Sequence, residues 1–301
     1  MAGSMLLALT LWNVSAIHRV SWKLSPTTHI IAIGPSTTGC ALNEQHINGF
    51  QNLSKNGTHI ALFVPILQKV LNENPQIDTV LINHGRFQFT VMTDKYVLRS
   101  ELQKIRNQLS LLFLDTSWIQ WWQLLSNPNF YGAVLNPDIF NLLPHSSNLD
   151  DIKDGYIEID RNNLYNPKKK DSIACYDSIK DSHGGNIYTK EWILENCSTT
   201  DYCERKAIQI CREHGVVPVL FFTPLYQYSR WCERDGFCEY MKSYDNNTLI
   251  ADYEDFAFPD ERYYGDVVHL NRLGADYFTS YLAKNGIKAQ QLSDWLKSKG
   301  N

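Results

Sequence analysis

Short runs of apolar residues alternate with stretches of helical spacing along most of this chain. That alternation predicts a parallel sheet covered by helices, an α/β fold. His29 to Ile33 forms the first expected strand, apolar throughout as a buried parallel strand should be, and it breaks at Gly34, Pro35 and Ser36. A helix is expected from about Leu42, and another from Ile60 to Asn72, leading into a strand from Thr79 to Ile82. Residues 97–114 and the tryptophan-rich stretch 118–122 read as helices, with the tryptophans as packing residues. A polar stretch over 144–190 has few apolar runs and reads as a long insertion, of the kind that lines sites on α/β scaffolds.

Regular patterning resumes with a helix from Thr200 to His214, stopped by Gly215, and a strand from Val216 to Phe222. A helix over Ser229 to Lys242, a last strand from Thr248 to Asp252 and a helix from Leu273 to Asn285 complete the series. No internal repeat is visible. The expected organisation is an N-terminal apolar segment and linker over 1–28, one domain over 29–287 and a C-terminal tail or helix over 288–301.

The 301 residues, 44% hydrophobic and 20% charged, describe an ordinary folded protein. A net charge of -4 gives no reason to expect a nucleic-acid partner. Met5 to Trp12 opens an apolar stretch reaching Ile17, too short for a clear membrane span and without a basic lead. It reads either as the trailing part of a membrane anchor, which would place the domain outside the cytoplasm, or as a helix packed on the domain. Of the seven cysteines, Cys197 with Cys203 and Cys232 with Cys238 are spaced to close short loops or to stand as separate buried thiols. No cysteine–histidine spacing suggests a metal site, and no cofactor is expected.

Chemistry in an open α/β sheet gathers at the carboxyl ends of the strands. Ser36 follows the first strand, Asn83 and His84 follow the second strong one, and Asp266 and His269 follow the last. A serine hydroxyl needs a base to take its proton, and a histidine needs a third group to hold its tautomer. Asp266 and His269 share one short turn, and the sheet would carry His269 to Ser36. Read alone, Ser36 could equally cap a helix.

Ile31 to Ser36, a strand ending in Gly-Pro-Ser, resembles the first block of the SGNH (GDSL-like) hydrolases. Asp266 to Asn271, followed by Gly274 and Ala275, resembles their last block, a DxxH motif before a helix. The resemblance implies a three-layer α/β/α, flavodoxin-like fold with a five-stranded parallel sheet. It further implies a triad of Ser36, His269 and Asp266, without metal or organic cofactor. Oxyanion donors would be the Ser36 amide, Gly57 and Asn83, although Gly57 also reads as a plain turn glycine. The usual GxND block is replaced by Asn83, His84, Gly85 and Arg86, and His84 reads either as a possible substrate contact or as a structural residue. Pro35 occupies the position usually held by Asp or Asn. The implied activity is that of a serine esterase or acyltransferase on an ester, with the O-acyl groups of a bacterial envelope glycan as one substrate class. The rival expectation is an inactive SGNH-fold protein that binds during envelope assembly.

Overall fold

The computed structural model describes residues 21–85, 89, 155–160, 189–226 and 234–300. The N-terminal apolar stretch, the helices expected over 97–114 and 118–122, most of the insertion and Cys232 lie outside them. In chain order the described elements are β1 (Ile30–Ile33), α1 (Ser36–Gly39), β2 (Phe50–Asn52), α2 (Ile60–Glu73) and β3 (Thr79–Asn83). After the insertion come α3 (Lys190–Asn196), α4 (Ser198–Glu213), β4 (Val217–Phe222), α5 (Arg234–Met241) and β5 (Leu249–Asp252). The chain closes with α6 (Arg272–Asn285), β6 (Gln290–Gln291) and α7 (Leu292–Ser298).

These strands form one six-stranded sheet in the order β2-β1-β3-β4-β5-β6. The first five are mutually parallel, and β6 runs antiparallel to β5. The protein is thus α/β with a mostly parallel sheet, and the expected count of five strands becomes six. Its sixth strand arises because Gly286, at φ 71°, turns the chain after α6 and returns it along Leu249 and Ile250. Neither edge strand was visible in the pattern: β2 has three residues and β6 only two. The expected helix from Leu42 is instead the single turn α1, six residues earlier, and a 3-10 turn over Glu44–His46.

Side chains alternate across the strands, so each of the four central strands β1, β3, β4 and β5 feeds two cores. Ile31, Ile33, Val80, Ile82, Leu220, Phe222 and Ile250 face one core with side chains from α2, α3, α4, α5 and α7. Ala32, Leu81, Val219, Phe221 and Ala251 face the other, where Phe278 and Leu282 of α6 close the layer. Burial on both faces is why these strands read as continuous apolar runs. Segment 21–28, expected as a linker, is part of the first core, with Trp22 at 1% exposure. The Trp22 and Leu24 amides donate to Glu73 and Asn74, at the C-terminal end of α2.

The C-terminal tail is equally integrated. Trp295 Nε1 donates to Asp252 Oδ2 at 2.8 Å, and Lys299 Nζ approaches the same oxygen at 2.7 Å. Burial alone would raise the Asp252 carboxyl, but the Lys299 ammonium and these hydrogen bonds outweigh it and hold the group below its ordinary value. No helix among the described residues is long and apolar enough to cross a membrane.

Candidate active site

Ser36 stands where β1 turns into α1. The turn is tight because Gly34 has no side chain: a Cβ there would lie 2.3 Å from Thr38 Oγ1 and 2.6 Å from Asn83 Cβ. Pro35 occupies the N-cap position, where its missing N–H removes no helical bond. Its carbonyl accepts from the Thr38 and Gly39 amides, and Ser36 O accepts from the Cys40 amide at 2.7 Å. The serine is therefore fixed by backbone bonds that do not involve its hydroxyl.

The other two residues ride on the loop between the 3-10 turn Glu261–Tyr263 and α6. Tyr264 bridges Leu270, and the Gly265 and Asp266 amides both donate to the His269 carbonyl. Asp266 Oδ1 accepts from the amides of Val268 and His269, each at 3.0 Å, which locks the carboxylate against its own turn. From there it meets His269 Nδ1 at 2.9 Å, with Oδ2 at 3.0 Å. His269 Nε2 lies 2.8 Å from Ser36 Oγ across 233 positions of sequence. A carboxylate that accepts the Nδ1 proton leaves the Nε2 lone pair to accept the serine hydroxyl. The His269 and Asp266 side chains are 20% and 21% exposed, screened from bulk water but reachable.

The residues after the histidine explain themselves in the same loop. Asn271 Oδ1 caps α6 by accepting from the Gly274 amide at 3.0 Å. Its Nδ2 donates back to the carbonyls of Arg262 at 2.6 Å and Tyr264 at 3.2 Å. Gly274 permits this closure, since a Cβ there would fall 1.9 Å from the Tyr263 carbonyl oxygen. Gly274→Ala is therefore expected to push the Asp266 loop off α6. Stability should fall by about 1–3 kcal/mol, and any activity that depends on His269 should fall with it. A variant with unchanged melting temperature and activity would contradict this contact.

Cys40 lies beside the same carboxylate. Burial, and then the charge of Asp266, push its thiol up to about 12, so it stays protonated at neutral pH.

The expected oxyanion donors are distributed less tightly. Asn83, the last residue of β3, is 1% exposed, with Nδ2 3.5 Å from Thr37 Oγ1 beside the serine. Gly57 adopts φ 62° in the loop after β2, and Lys55 of that loop donates to the Gly34 carbonyl at 3.1 Å. The structure thus joins Ser36, His269 and Asp266 directly, sets Asn83 against Gly34 and Thr37, and ties the Gly57 loop to the serine turn.

His84 is not beside them, and the expected substrate contact is corrected. Its side chain projects to the opposite face of the sheet from Asn83 and is 0% exposed. There Nδ1 lies 2.6 Å from Glu204 Oε2, off the hydrogen-bond axis, and Nε2 lies 3.0 Å from Met241 Sδ. Rings of Phe89, Phe222, Phe237, Tyr240 and Tyr244 surround it. The Tyr244 hydroxyl donates to Glu204 and the Tyr240 hydroxyl to Asp201. Burial first, and then the carboxylates of Glu204 and Asp201, hold both phenols well above their ordinary range. Cys197 is a thiol that donates to the Phe89 carbonyl at 3.1 Å, which removes the expected alternative of a bond to Cys203.

One part of the insertion reaches the site, as expected of it, although which residues would do so was not read from the sequence. The Gly155 amide donates to Ser54, the Ile157 amide to Gly39, and Ile159 accepts from the Arg272 amide. This strip straps the β2 loop, α1 and the start of α6 together. Its signal was the alternation Tyr156-Ile157-Glu158-Ile159-Asp160, a period of two inside a polar stretch. Among the described residues no group of three or more His, Cys, Asp or Glu could hold a metal ion. Compared with models of known families, with curated proteins and with solved structures, the chain matches none.

Proposed function

We propose that this protein is a serine-dependent acyl esterase or acyltransferase of SGNH type, with the three-layer, flavodoxin-like architecture of that superfamily. The observation that carries the reading is the continuous relay from Asp266 through His269 to Ser36 Oγ, at 2.9 and 2.8 Å. A Pro-Ser turn at a strand end needs no such partner to be stable. The arrangement of the sheet also supports it, since Ser36 follows the carboxyl end of β1 and the loop that brings Asp266 and His269 to it lies in the connection after β5.

In the proposed reaction Ser36 Oγ attacks an ester carbonyl while its proton passes to His269 Nε2. Asp266 holds the ring and stabilises the imidazolium. The amides of Ser36 and Gly57, with Asn83 Nδ2 turned from Thr37, receive the oxyanion. Collapse of the tetrahedral intermediate breaks the C–O bond, and His269 returns the proton to the departing alcohol oxygen. A water or an alcohol then attacks acyl-Ser36 by the same steps in reverse order, giving hydrolysis or transfer. The sequence resemblance leaves the ester open, with O-acyl groups of an envelope glycan as one class.

Labelling with a fluorophosphonate tests this without knowledge of the natural ester, because the reagent requires an activated serine. Stoichiometric modification of Ser36 is the expected result. Absence of labelling in the folded protein would instead favour a binding role on the same scaffold.

A further inference from the structure

We propose that a cavity built on the histidine loop is an aromatic cage for an alkylammonium group, so that the ester acted on here carries a positive charge. This rests on the esterase reading and names its substrate class. The cavity encloses about 290 Å³ and is lined by Tyr226 after β4 and by residues between Asp255 and Tyr264 after β5. That size is near the lower limit for small-molecule sites and suits a compact group.

Four rings form its walls, and each meets the next nearly at a right angle. Tyr226 and Tyr264 stand at 72° with centroids 5.3 Å apart, and Tyr264 and Phe258 at 75° and 5.1 Å. Phe258 and Phe256 continue the chain at 70° and 4.9 Å. Rings set at steep angles to one another line the cavity from several directions, and an alkylammonium group is a ligand that aromatic walls attract. A sugar ring would instead need one broad face to stack upon. Charge points the same way, because Asp255, Asp260 and Glu261 also line the cavity. Arg262 is engaged by Asp260 at 2.8 Å, while Glu261 accepts from the Tyr226 hydroxyl and aligns that ring. Asp255 is exposed at the rim.

The cage and the triad share their backbone. Tyr264 bridges Leu270, the residue after His269, and the Tyr226 amide donates to the Val267 carbonyl at 3.2 Å. A cation held by these rings would therefore sit against the loop that carries the base.

The test compares hydrolysis of acetylthiocholine with that of its uncharged carbon isostere, 3,3-dimethylbutyl thioacetate. The cage predicts that kcat/KM favours the cationic thioester by about tenfold or more at low salt. Asp255→Asn and Phe258→Leu should each bring the ratio toward unity; the ratio is the readout, not the absolute rate. Calorimetric titration with tetramethylammonium chloride, against sodium chloride, reads the cage without catalysis. Serine-dependent turnover of both thioesters at equal rates would overturn the cage and leave the esterase reading standing. Tetramethylammonium binding that Phe258→Leu abolishes, with no turnover of either thioester, would support the cage and count against the esterase reading. Absence of tetramethylammonium binding would overturn the cage directly.

Discussion

Ser36→Ala is expected to lower the hydrolysis of p-nitrophenyl acetate by about 10⁴-fold or more, with no change in the circular dichroism spectrum. The size of the loss follows from the hydroxyl's place in the site. In the proposed reaction it accepts the acyl group, and its partner at 2.8 Å is His269 Nε2. The lack of a folding effect follows from the turn, where the main-chain atoms of Pro35 and Ser36 make the bonds that shape α1. His269→Ala should lose activity to a similar degree. The double variant should be little worse than either single one, because residues of one relay do not act additively. Fluorophosphonate labelling should vanish in both single variants. Retention of wild-type activity by Ser36→Ala would sink the esterase proposal outright.

Glu204→Ala is expected to cost about 3–5 kcal/mol of stability, read as an early urea or thermal transition. The carboxylate is fully buried and faces His84 Nδ1 at 2.6 Å, while it also accepts from the Tyr244 hydroxyl. Its removal leaves His84 Nδ1 facing a buried void among aromatic rings and takes one of the two partners of the Tyr244 hydroxyl. Replacing both members, as in His84→Leu with Glu204→Leu, should cost much less than the sum of the single changes, since neither polar group is then left alone. Equal and additive losses would show that the two residues act independently. The Ser36 relay lies on the other side of the sheet, so fluorophosphonate labelling of the folded Glu204→Ala fraction should persist.

Much of the candidate site could be read from residue type and spacing. Asp266 and His269 sit three residues apart on one turn, so their pairing is a local matter, and Asn271 with Gly274 announces the helix that follows. Asn83 and His84 show where that reading stops. Both are polar residues at the end of one strand, and the sequence treats them alike. Strand geometry sends their side chains to opposite faces, one toward Thr37 and one into the rings around Glu204. Glu204 itself read as an ordinary residue of an amphipathic helix, because its partner lies 120 positions away in the chain.

By itself the sequence determined the alternation of buried strands and helices, and with it the α/β class. These are signals of short range: apolar runs, helical spacing and stops at glycine. It also named the three residues of the relay. Only the tertiary structure decided that Ser36 and His269 meet, that two short edge strands complete a six-stranded sheet, and that Trp22 and Trp295 belong to the core. Only there do Tyr226 and the residues from Asp255 to Tyr264 come to line one cavity. Each of these depends on which distant segments the sheet places side by side, and contacts between distant segments leave no period in the chain.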